Sequence, residues 1–311
     1  MRAVHLRHRS LVIRPDNMPT AERTPRRAEG VRGEALGGRD QKRQADGKNG
    51  EDPHPATNPA RRRIVPSVLR PIPIPSLLVT GTDTGVGKTV VAGAIANWFH
   101  RNGHRVGVLK PAATGCVRRR EGLVSEDAEF LAHCADTRFP LDVVCPQRFV
   151  EPLAPAVAAE RAGAALEWDA IQRSIDAMSR ECDVLIVEGV GGVMVPMDAK
   201  HTFLDVARWL GSPAVVVARA ALGTINHSLL TVNALRQAEV GVAGVVINRY
   251  PAETPPTAEE TNPRAIQRWG KVPVLCLVPE EGLAGVTLPG GIVAAIDTVD
   301  WETIAGGQER R

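Results

Sequence analysis

The sequence lacks any apolar run of the roughly 18–20 residues needed to cross a bilayer, so it offers no candidate for a transmembrane helix. Aromatic residues make up only 4% of its 311 residues, which leaves few side chains on which nucleic-acid bases could stack. The five cysteines are scattered and form no CxxC pair, so we expect neither a disulfide framework nor a structural zinc site. No secretory signal opens the chain. The scattered cysteines favour a reducing compartment. Because no secretory signal is found either, we expect a cytoplasmic protein.

The first 75 residues differ in composition from the rest of the chain. They contain ten prolines, six glycines and no Phe, Trp or Tyr, so they cannot bury enough apolar surface to offset the entropy of ordering them. They carry 16 Lys and Arg against 8 Asp and Glu, a net charge of +8, whereas residues 76–311 carry 22 against 27, a net charge of −5. The basic character therefore belongs to the first quarter of the chain, which weakens any argument that the whole protein binds nucleic acid.

A proline-rich run marks the expected boundary of the folded part. The sequence PIPIP at 71–75 predicts an extended linker, because proline fixes φ and donates no main-chain hydrogen bond. We therefore expect a disordered basic extension over residues 1–75 and one folded domain over residues 76–311. The Arg-rich, acid-free opening faintly resembles a transit peptide, but we favour a charged disordered extension or an upstream start codon chosen too early.

From Ser76 onward, short apolar runs alternate with helix-like stretches. The runs are apolar throughout, as in strands that are buried on both faces of a parallel sheet. Strands alternating with helices indicate an α/β fold with a single doubly wound, mostly parallel sheet flanked by helices. The predicted strands are 77–82, 105–110, 183–189, 213–218, 242–248 and 272–278, and the first helix is predicted from about Lys88 to Asn102.

The motif GTDTGVGKT at 81–89 lies between the first predicted strand and the first predicted helix. Its glycines allow the chain to curl around a phosphate group, which needs inward-pointing main-chain N–H donors. Lys88 can reach the β- and γ-phosphates, and the Thr89 hydroxyl can bind Mg²⁺. Gly81 lies one residue earlier than the strict GxxxxGK[ST] spacing demands. The motif is therefore a variant P-loop, and it predicts nucleotide binding.

Three further charged residues are candidates for the same site. Lys110 follows the second predicted strand, at the carboxyl end where open α/β sheets place their ligands. Glu188 ends the apolar run DVLIVE, so its carboxylate is expected at the same edge of the sheet. Two carboxylates beside a P-loop predict a Mg²⁺ site next to a triphosphate. Taken singly, Asp127 is also an ordinary acid of a helix first turn, and Lys110 an ordinary solvated lysine.

Taken together, these motifs resemble the dethiobiotin synthetase family. They follow that family's order with similar spacing over about residues 76–290, and GTDTGVGKT followed by KPAATG is far more specific than a P-loop alone. The resemblance implies a P-loop NTPase-like fold and an ATP-dependent cyclo-ligase of biotin biosynthesis. The segments that carry it are GTDTGVGKT (81–89), KPAATG (110–115), SEDA (125–128), EPLAPAVAAE (151–160), VEGVGG (187–192), ALGTINHSLLT (221–231) and VINR (246–249).

The resemblance implies a definite reaction. It converts 7,8-diaminopelargonate, CO₂ and MgATP into dethiobiotin, ADP and phosphate, through an N7 carbamate that the γ-phosphate activates. By resemblance, Lys110 and Lys88 hold the carbamate and the phosphates, Thr84 lies near the reacting groups, and Asn248 contacts the adenine edge. The residues implied to bind ATP are Thr82, Asp83, Thr84, Gly85, Val86, Gly87, Lys88, Thr89, Asp127, Glu188 and Asn248, and those implied to bind Mg²⁺ are Thr89, Asp127 and Glu188.

The resemblance also implies a substrate site shared between two subunits. In the family, a loop at the subunit interface holds the carboxylate tail of the diamino acid. The matching segment here opens a predicted helix, whose N–H groups can bind a carboxylate without a basic side chain. We therefore expect a homodimer, with neither nucleic acid nor a membrane as partner. The residues expected to bind substrate are Lys110, Thr114, Gly223, Thr224, Ile225 and Asn226.

Three positions depart from the family's pattern. Gly85 stands where some members carry glutamate, which removes one side-chain contact near the substrate. Thr114 replaces a frequent serine and keeps the hydroxyl group. Ala221 stands where some members carry lysine.

A ParA/MinD-like ATPase switch that binds DNA or membrane is the main alternative. Such proteins share the fold and GVGKT, but their loop carries a lysine five residues before the P-loop lysine. Asp83 occupies that position here, which argues against a switch protein. A cobyrinic-acid-type amide synthetase is less consistent with the sequence, because it needs a glutaminase domain for which we expect no room after residue 290.

Overall fold

The computed structural model describes residues 67–120, 122–251, 253 and 255–306. Residues 1–66 of the expected extension lie outside this part of the chain. Among the described residues, no helix is both long enough and apolar enough to cross a membrane. The strands are β1 (Ser76–Gly81), β2 (Val106–Leu109), β3 (Ala112–Ala113), β4 (Val117–Arg119), β5 (Gly122–Val124), β6 (Gln147–Arg148), β7 (Val184–Gly192), β8 (Ala214–Arg219), β9 (Val242–Tyr250) and β10 (Val274–Pro279). The helices are α1 (Lys88–Arg101), α2 (Glu126–Cys134), α3 (Leu141–Val144), α4 (Pro155–Arg161), α5 (Trp168–Glu181), α6 (Phe203–Leu210), α7 (Thr224–Gln237), α8 (Thr257–Gly270), α9 (Gly290–Ile296) and α10 (Trp301–Ile304).

A six-stranded sheet forms the centre of the fold, in the order β10-β9-β8-β1-β7-β2. Every neighbouring pair in it is parallel, which confirms the predicted α/β class. The chain moves from β1 to β2 and back to β7 on one side of β1, and then crosses to β8 on the other side. The order of the strands thus reverses at β1, and open α/β sheets bind ligands at such switch points.

Burial explains why these strands read as unbroken apolar runs. All six residues of β1 are buried, as are the first six of β7. Leu77, Leu78 and Val79 have no exposed surface. A strand covered by helices on both faces needs apolar side chains at successive positions, so period-two alternation is absent.

Two strands are longer than the sequence predicted. β7 was expected to end at residue 189 and continues to Gly192, where it pairs with Gly81 after a shift in register. β9 was expected to end at residue 248 and continues to Tyr250. The glycine-rich sequence after Glu188 is typical of a turn, but main-chain hydrogen bonds to β1 extend the strand there. Glu188 therefore lies within β7, paired with Val79, rather than at its end.

Two small two-stranded sheets, β3–β6 and β4–β5, lie outside the main sheet. The sequence predicted no strand in these segments, because runs of two or three residues are too short to show a periodicity. β3 follows directly on the loop after β2 and precedes Thr114, so this chain segment lies beside the carboxyl ends of the main strands.

The packed chain begins before Ser76, the residue at which we expected folded structure to start. Leu69 has no exposed surface. The main-chain N–H of Ile72 donates to the carbonyl of Leu210 at 3.0 Å, and Arg70 forms an ion pair with Asp176. The average composition of residues 1–75 did not indicate that one of its leucines, Leu69, is buried in the core.

Candidate functional site

A cavity of about 720 Å³ opens at the carboxyl ends of β1, β2 and β7. It lies where the order of the sheet reverses, which agrees with the general position of ligand sites in this class. The predicted site residues that line it are Thr84, Gly85, Gly87, Lys88, Thr89, Lys110, Thr114, Asp127 and Glu188. The structure thus brings together residues that are up to about a hundred positions apart in the chain.

The P-loop joins β1 to α1, and its conformation depends on glycine. Gly87 has φ 91° and immediately precedes α1, which begins at Lys88. A Cβ atom at Gly87 would lie 1.9 Å from Nδ2 of Asn248, so a larger residue would collide there. The Lys88 ammonium folds back and donates to the main-chain oxygen of Asp83 at 2.9 Å. Thr82, Asp83 and Val86 belong to the loop but do not line the cavity.

Four side chains form a connected polar cluster on the floor of the cavity. The Thr89 hydroxyl donates to Oε1 of Glu188 at 2.7 Å. The Lys110 ammonium donates to the same Oε1 at 3.0 Å and also to Oδ2 of Asp127. The cluster forms because β7 lies between β1 and β2, so Glu188 on β7 faces both the start of α1 and the end of β2.

Asp127 reaches the cluster from the first turn of α2. Ser125 caps this helix, since its Oγ accepts a hydrogen bond from the main-chain N–H of Ala128 at 3.3 Å. Ser125 therefore has the N-cap role and Asp127 is free to extend its carboxylate toward Lys110. The side chain of Asp127 is 51% exposed, whereas that of Glu188 is 1% exposed.

The electrostatics of the cluster follow from burial and pairing. Burial by itself would lower the pKa of Lys110, but attraction and hydrogen bonds from Glu188 and Asp127 outweigh it, and the pKa is raised. Lys110 is therefore a cation. Burial lowers the pKa of Lys88, with Glu188 opposing and Lys110 adding to the effect. Burial raises the pKa of Glu188, and Lys110 and the Thr89 hydroxyl oppose this rise.

The donor atoms of the cluster suit a hard divalent cation. Oε2 of Glu188 is buried and has no hydrogen-bond partner among the described residues, so one carboxylate oxygen is available for a ligand. No group of three or more His, Cys, Asp and Glu side chains suitable for a metal occurs among the described residues. Two carboxylates and a hydroxyl are too few for an all-protein cage, but Mg²⁺ ordinarily keeps several waters and phosphate oxygens as ligands.

Asn248 lies beside the P-loop rather than in the cavity. Its side chain is 4% exposed, and Nδ2 donates to the main-chain oxygen of Val86 at 2.9 Å. The amide therefore ties β9 to the loop. The contact of this amide with an adenine edge, which the resemblance implied, stays a prediction, because the hydrogen bond to Val86 uses only one N–H of the amide.

The expected tail-binding segment lies at the start of α7, outside the cavity of the same chain. Gly223 precedes the helix with φ 92° and gives no side-chain cap. Thr224 is fully buried, and in the part of the chain that the structure describes its hydroxyl has no hydrogen-bond partner. Leu222, just before the segment, is 81% exposed. None of Gly223, Thr224, Ile225 and Asn226 lines the cavity described above.

The sequence analysis missed several parts of the cavity wall. Arg249 lines the cavity and has φ 55°, in the left-handed region that non-glycine residues seldom adopt. Its position directly after a predicted strand was the available signal, because the neighbouring Asn248 was singled out for the same reason. The wall also contains Pro152, Leu153 and Ala154 from the EPLAPAVAAE segment, and Val190, Gly191 and Val195 from β7 and the loop after it.

The cysteines contribute nothing to this site. All five are free and buried. Burial raises the pKa of Cys134, Cys145 and Cys276 to about 12 and that of Cys182 to about 11. Thiols with such pKa values are protonated at neutral pH and are poor nucleophiles.

The parallel sheet, the loop between β1 and α1 and the lysine at the start of α1 define a P-loop nucleotide-binding protein. A family model described as an AAA domain matches residues 75–285. Curated proteins named ATP-dependent dethiobiotin synthetase BioD are similar over this part of the chain. The one from Thermodesulfovibrio yellowstonii is 36% identical over 208 residues, 65% of this chain and 87% of that protein. Those from Anaeromyxobacter sp. and Bacillus subtilis are 40% and 35% identical, over 90% and 88% of their lengths and 66% and 67% of this chain. The chain belongs to the dethiobiotin synthetase family.

Solved structures with a similar fold are more distant. A septum site-determining protein MinD complexed with Mg-ADP, from Pyrococcus horikoshii, is 15% identical. The match covers 76% of this chain and 96% of that one, with a TM-score of 0.46. A likeness at this level carries no argument about the function of this chain.

Proposed function

We propose that the protein is an ATP-dependent dethiobiotin synthetase, which uses ATP and CO₂ to close the ureido ring of 7,8-diaminopelargonate. One observation carries the proposal. In a chain of this family, the P-loop lysine and a second buried lysine converge with two carboxylates in a single cavity. A cavity with this set of charges suits a reaction in which a carbamate and a phosphoryl group both carry negative charge.

The chemistry requires three bonds to form in sequence. The N7 amine attacks CO₂ and gives a carbamate. A carbamate oxygen then attacks the γ-phosphorus, and ADP leaves. The second amine attacks the carbonyl carbon of this mixed anhydride, inorganic phosphate leaves, and the five-membered ring closes. Each amine loses a proton, and the negative charge passes from the carbamate to the phosphate.

The two lysines have different tasks in this proposal. Lys110 sits on the floor of the cavity and would hold the carbamate and the transferring phosphoryl group. Lys88 and the main-chain N–H groups of the P-loop would hold the β- and γ-phosphates. Thr84, whose side chain lines the same cavity, would hydrogen-bond the reacting groups, and Thr114 would contact the substrate from the loop after β3. Fixed positive charge at these places stabilises a transition state without reorganisation of solvent.

Thr89, Asp127 and Glu188 would hold Mg²⁺ when the nucleotide is bound. The unpartnered Oε2 of Glu188 supports this assignment, because a buried carboxylate oxygen without a partner is costly. Bound there, the ion would supply positive charge that neutralises the phosphates.

We further propose that the active unit is a homodimer in which the start of α7 binds the tail carboxylate of the partner subunit's substrate. Gly223–Asn226 lies at a helix N-terminus but outside the cavity of its own chain. Leu222 and Leu230 on either side of it are 81% and 61% exposed, and Met194 on the loop after β7 is 63% exposed. The proposed interface would remove these apolar side chains from contact with water.

The test is incubation of the protein with ATP, Mg²⁺, bicarbonate and 7,8-diaminopelargonate, followed by mass spectrometry. We expect dethiobiotin to form in equal amount with ADP, and only when all four components are present. A rate of ADP release that does not depend on the diamine but changes when DNA or lipid is added would contradict the proposal and favour a switch protein. Glu188→Gln serves as the matched control, because it keeps the shape of the side chain and removes a charge that the reaction needs.

A further inference from the structure

The ammonium group of Lys110 is bound to the same two carboxylates that the proposed metal site uses. It donates to Oε1 of Glu188 at 3.0 Å and to Oδ2 of Asp127. The Thr89 hydroxyl donates to the same Oε1 at 2.7 Å. The three side chains assigned to Mg²⁺ are thus already joined to one another, and a lysine cation stands among them.

Burial makes this cation important to the carboxylates. The side chains of Lys110 and Glu188 are 7% and 1% exposed. A buried carboxylate that has no counter-charge is strongly destabilising, and removing one partner of a buried pair leaves such a charge. Lys110 supplies the counter-charge in the structure, and together with Asp127 and Glu188 it gives the cluster a net charge of −1.

The other lysine of the cavity is arranged differently. The ammonium of Lys88 donates to the main-chain oxygen of Asp83 at 2.9 Å. This contact involves neither carboxylate, so Lys88 can meet a phosphate without disturbing the cluster. Lys110, by contrast, cannot hold a substrate group with the N–H bonds that it gives to Asp127 and Glu188.

We propose that Lys110 is an internal counter-cation of the metal site, and that a divalent cation displaces its ammonium group from Glu188 and Asp127 before Lys110 can turn the whole ammonium group toward the carbamate. This inference rests on the function proposed above, from which the metal ligands and the task of Lys110 are taken. The unpartnered Oε2 of Glu188 gives the incoming ion a first ligand while Oε1 is still occupied. A doubly charged ion and an ammonium group on the same two carboxylates repel each other, so the two bind competitively.

The exchange would couple the binding of the metal ion to the contact between Lys110 and the carbamate. While Lys110 is bound to both carboxylates, two of its three N–H groups are used there and one is left for the carbamate. Displacement by the metal ion would turn the whole ammonium group toward the substrate, so its full binding capacity would become available when a phosphoryl donor is present.

The test measures metal affinity rather than turnover. Mn²⁺ alone is titrated into the full-length protein, and the free ion is followed by electron paramagnetic resonance. Lys110→Gln removes the competing charge, so we expect its dissociation constant for Mn²⁺ to fall by about tenfold or more relative to the wild type. Lys110→Arg keeps the charge and should bind Mn²⁺ no more tightly than the wild type. Lys200→Gln removes a charge from an exposed position outside the cavity and is the control. Equal or weaker Mn²⁺ binding by a folded Lys110→Gln protein would overturn the proposal.

A second measurement needs no variant and covers the case in which Lys110→Gln fails to fold. The wild-type protein is acetylated with N-hydroxysuccinimide acetate with and without saturating Mg²⁺, and the modified peptides are quantified by mass spectrometry. Modification of Lys110 should rise several-fold with Mg²⁺, while that of Lys200 stays constant as an internal reference; no rise at Lys110 would overturn the exchange. A wild-type protein that forms dethiobiotin but shows no exchange contradicts this inference alone. Exchange without dethiobiotin contradicts the proposed function alone.

Discussion

The role that can be inferred for Lys110 depends on its surroundings. A lysine at the end of a strand is ordinarily solvated, with its ammonium in water. Here it is 5% exposed, and its charge is maintained by two carboxylates that come from β7 and α2. A buried, paired cation in a cavity next to a P-loop is a functional candidate on physical grounds, because such charges are costly to keep without a use.

At the residue scale we predict that Lys110→Ala lowers turnover by about 10²–10⁴-fold, roughly 3–5 kcal/mol of transition-state stabilisation. ATP affinity should stay near that of the wild type, because Lys88 and the P-loop remain. Steady-state formation of dethiobiotin and calorimetric titration with ATP measure the two quantities. Lys200→Ala, on the exposed surface, is the control and should keep full turnover. Near-normal turnover of Lys110→Ala would remove this residue from the mechanism.

At the scale of elements, the turn between β7 and α6 shapes one wall of the cavity. Asp198 lies at its centre and accepts hydrogen bonds at 2.8 Å from Nε1 of Trp168 and from the main-chain N–H groups of Lys200 and His201. The His201 ring adds a contact at 3.0 Å. This network closes the turn that carries Val195, which lines the cavity. The hydrogen bonds of Asp198 thus hold a turn that begins at the cavity wall.

The same network predicts a pH dependence of stability. Burial alone would raise the pKa of Asp198, but the hydrogen bonds from His201, Lys200 and Trp168 outweigh it and lower the pKa from 3.8 to about 2. Because the folded-state pKa lies below the unfolded one, the stabilisation is present above about pH 4 and is lost as the pH falls toward 2. It amounts to about 2 kcal/mol. Urea unfolding at pH 5 and pH 2 should therefore show a smaller loss of stability for Asp198→Asn than for the wild type. An equal loss in both proteins would contradict this account.

At the scale of the whole molecule, the structure changes the expected effect of truncation. Removal of residues 1–66 should leave the melting temperature and turnover essentially unchanged, since the composition of the first 75 residues gives little material for a core. Removal of residues 1–75 also deletes buried Leu69, which is worth about 1.5–3 kcal/mol, together with the Arg70–Asp176 ion pair. The shorter protein should therefore melt lower by on the order of 5 °C. Thermal denaturation followed by circular dichroism makes the comparison, and identical melting temperatures for the two truncated proteins would mean that Leu69 is dispensable.

The proposed sharing of the substrate site between two subunits leads to a prediction about mixtures of variants. Gly223→Val places a β-branched residue at φ 92°, which strains the start of α7. It should weaken binding of the diamine while ATP binding stays unchanged. Mixed in equal amounts with Lys110→Ala under conditions of subunit exchange, it should restore about a quarter of wild-type activity, because half of the dimers are hybrids with one intact site each. A monomer in analytical ultracentrifugation, or no recovery in mixtures shown to exchange subunits, would refute the shared site.

Local features of the chain were determined by the sequence alone. The unbroken apolar runs specified strands buried on both faces, and hence a parallel sheet with helices on each side. The spacing of glycine, lysine and threonine in residues 81–89 specified a phosphate-binding loop at the start of a helix, because those positions are set by the main chain of one short segment. The order of motifs along residues 76–290 specified the family.

The contacts between distant segments were decided only by the tertiary structure. The order of the strands places β7 between β1 and β2, and this order alone brings Glu188 within 3.0 Å of Lys110, which is 78 residues away in the chain. The use of the Asn248 amide to hold Val86, and the burial of Leu69, likewise depend on neighbours that are remote in sequence. The periodicity of a segment reports which of its faces is buried, but not which other segment covers that face. The identity of the covering segment determines which charges meet in the cavity.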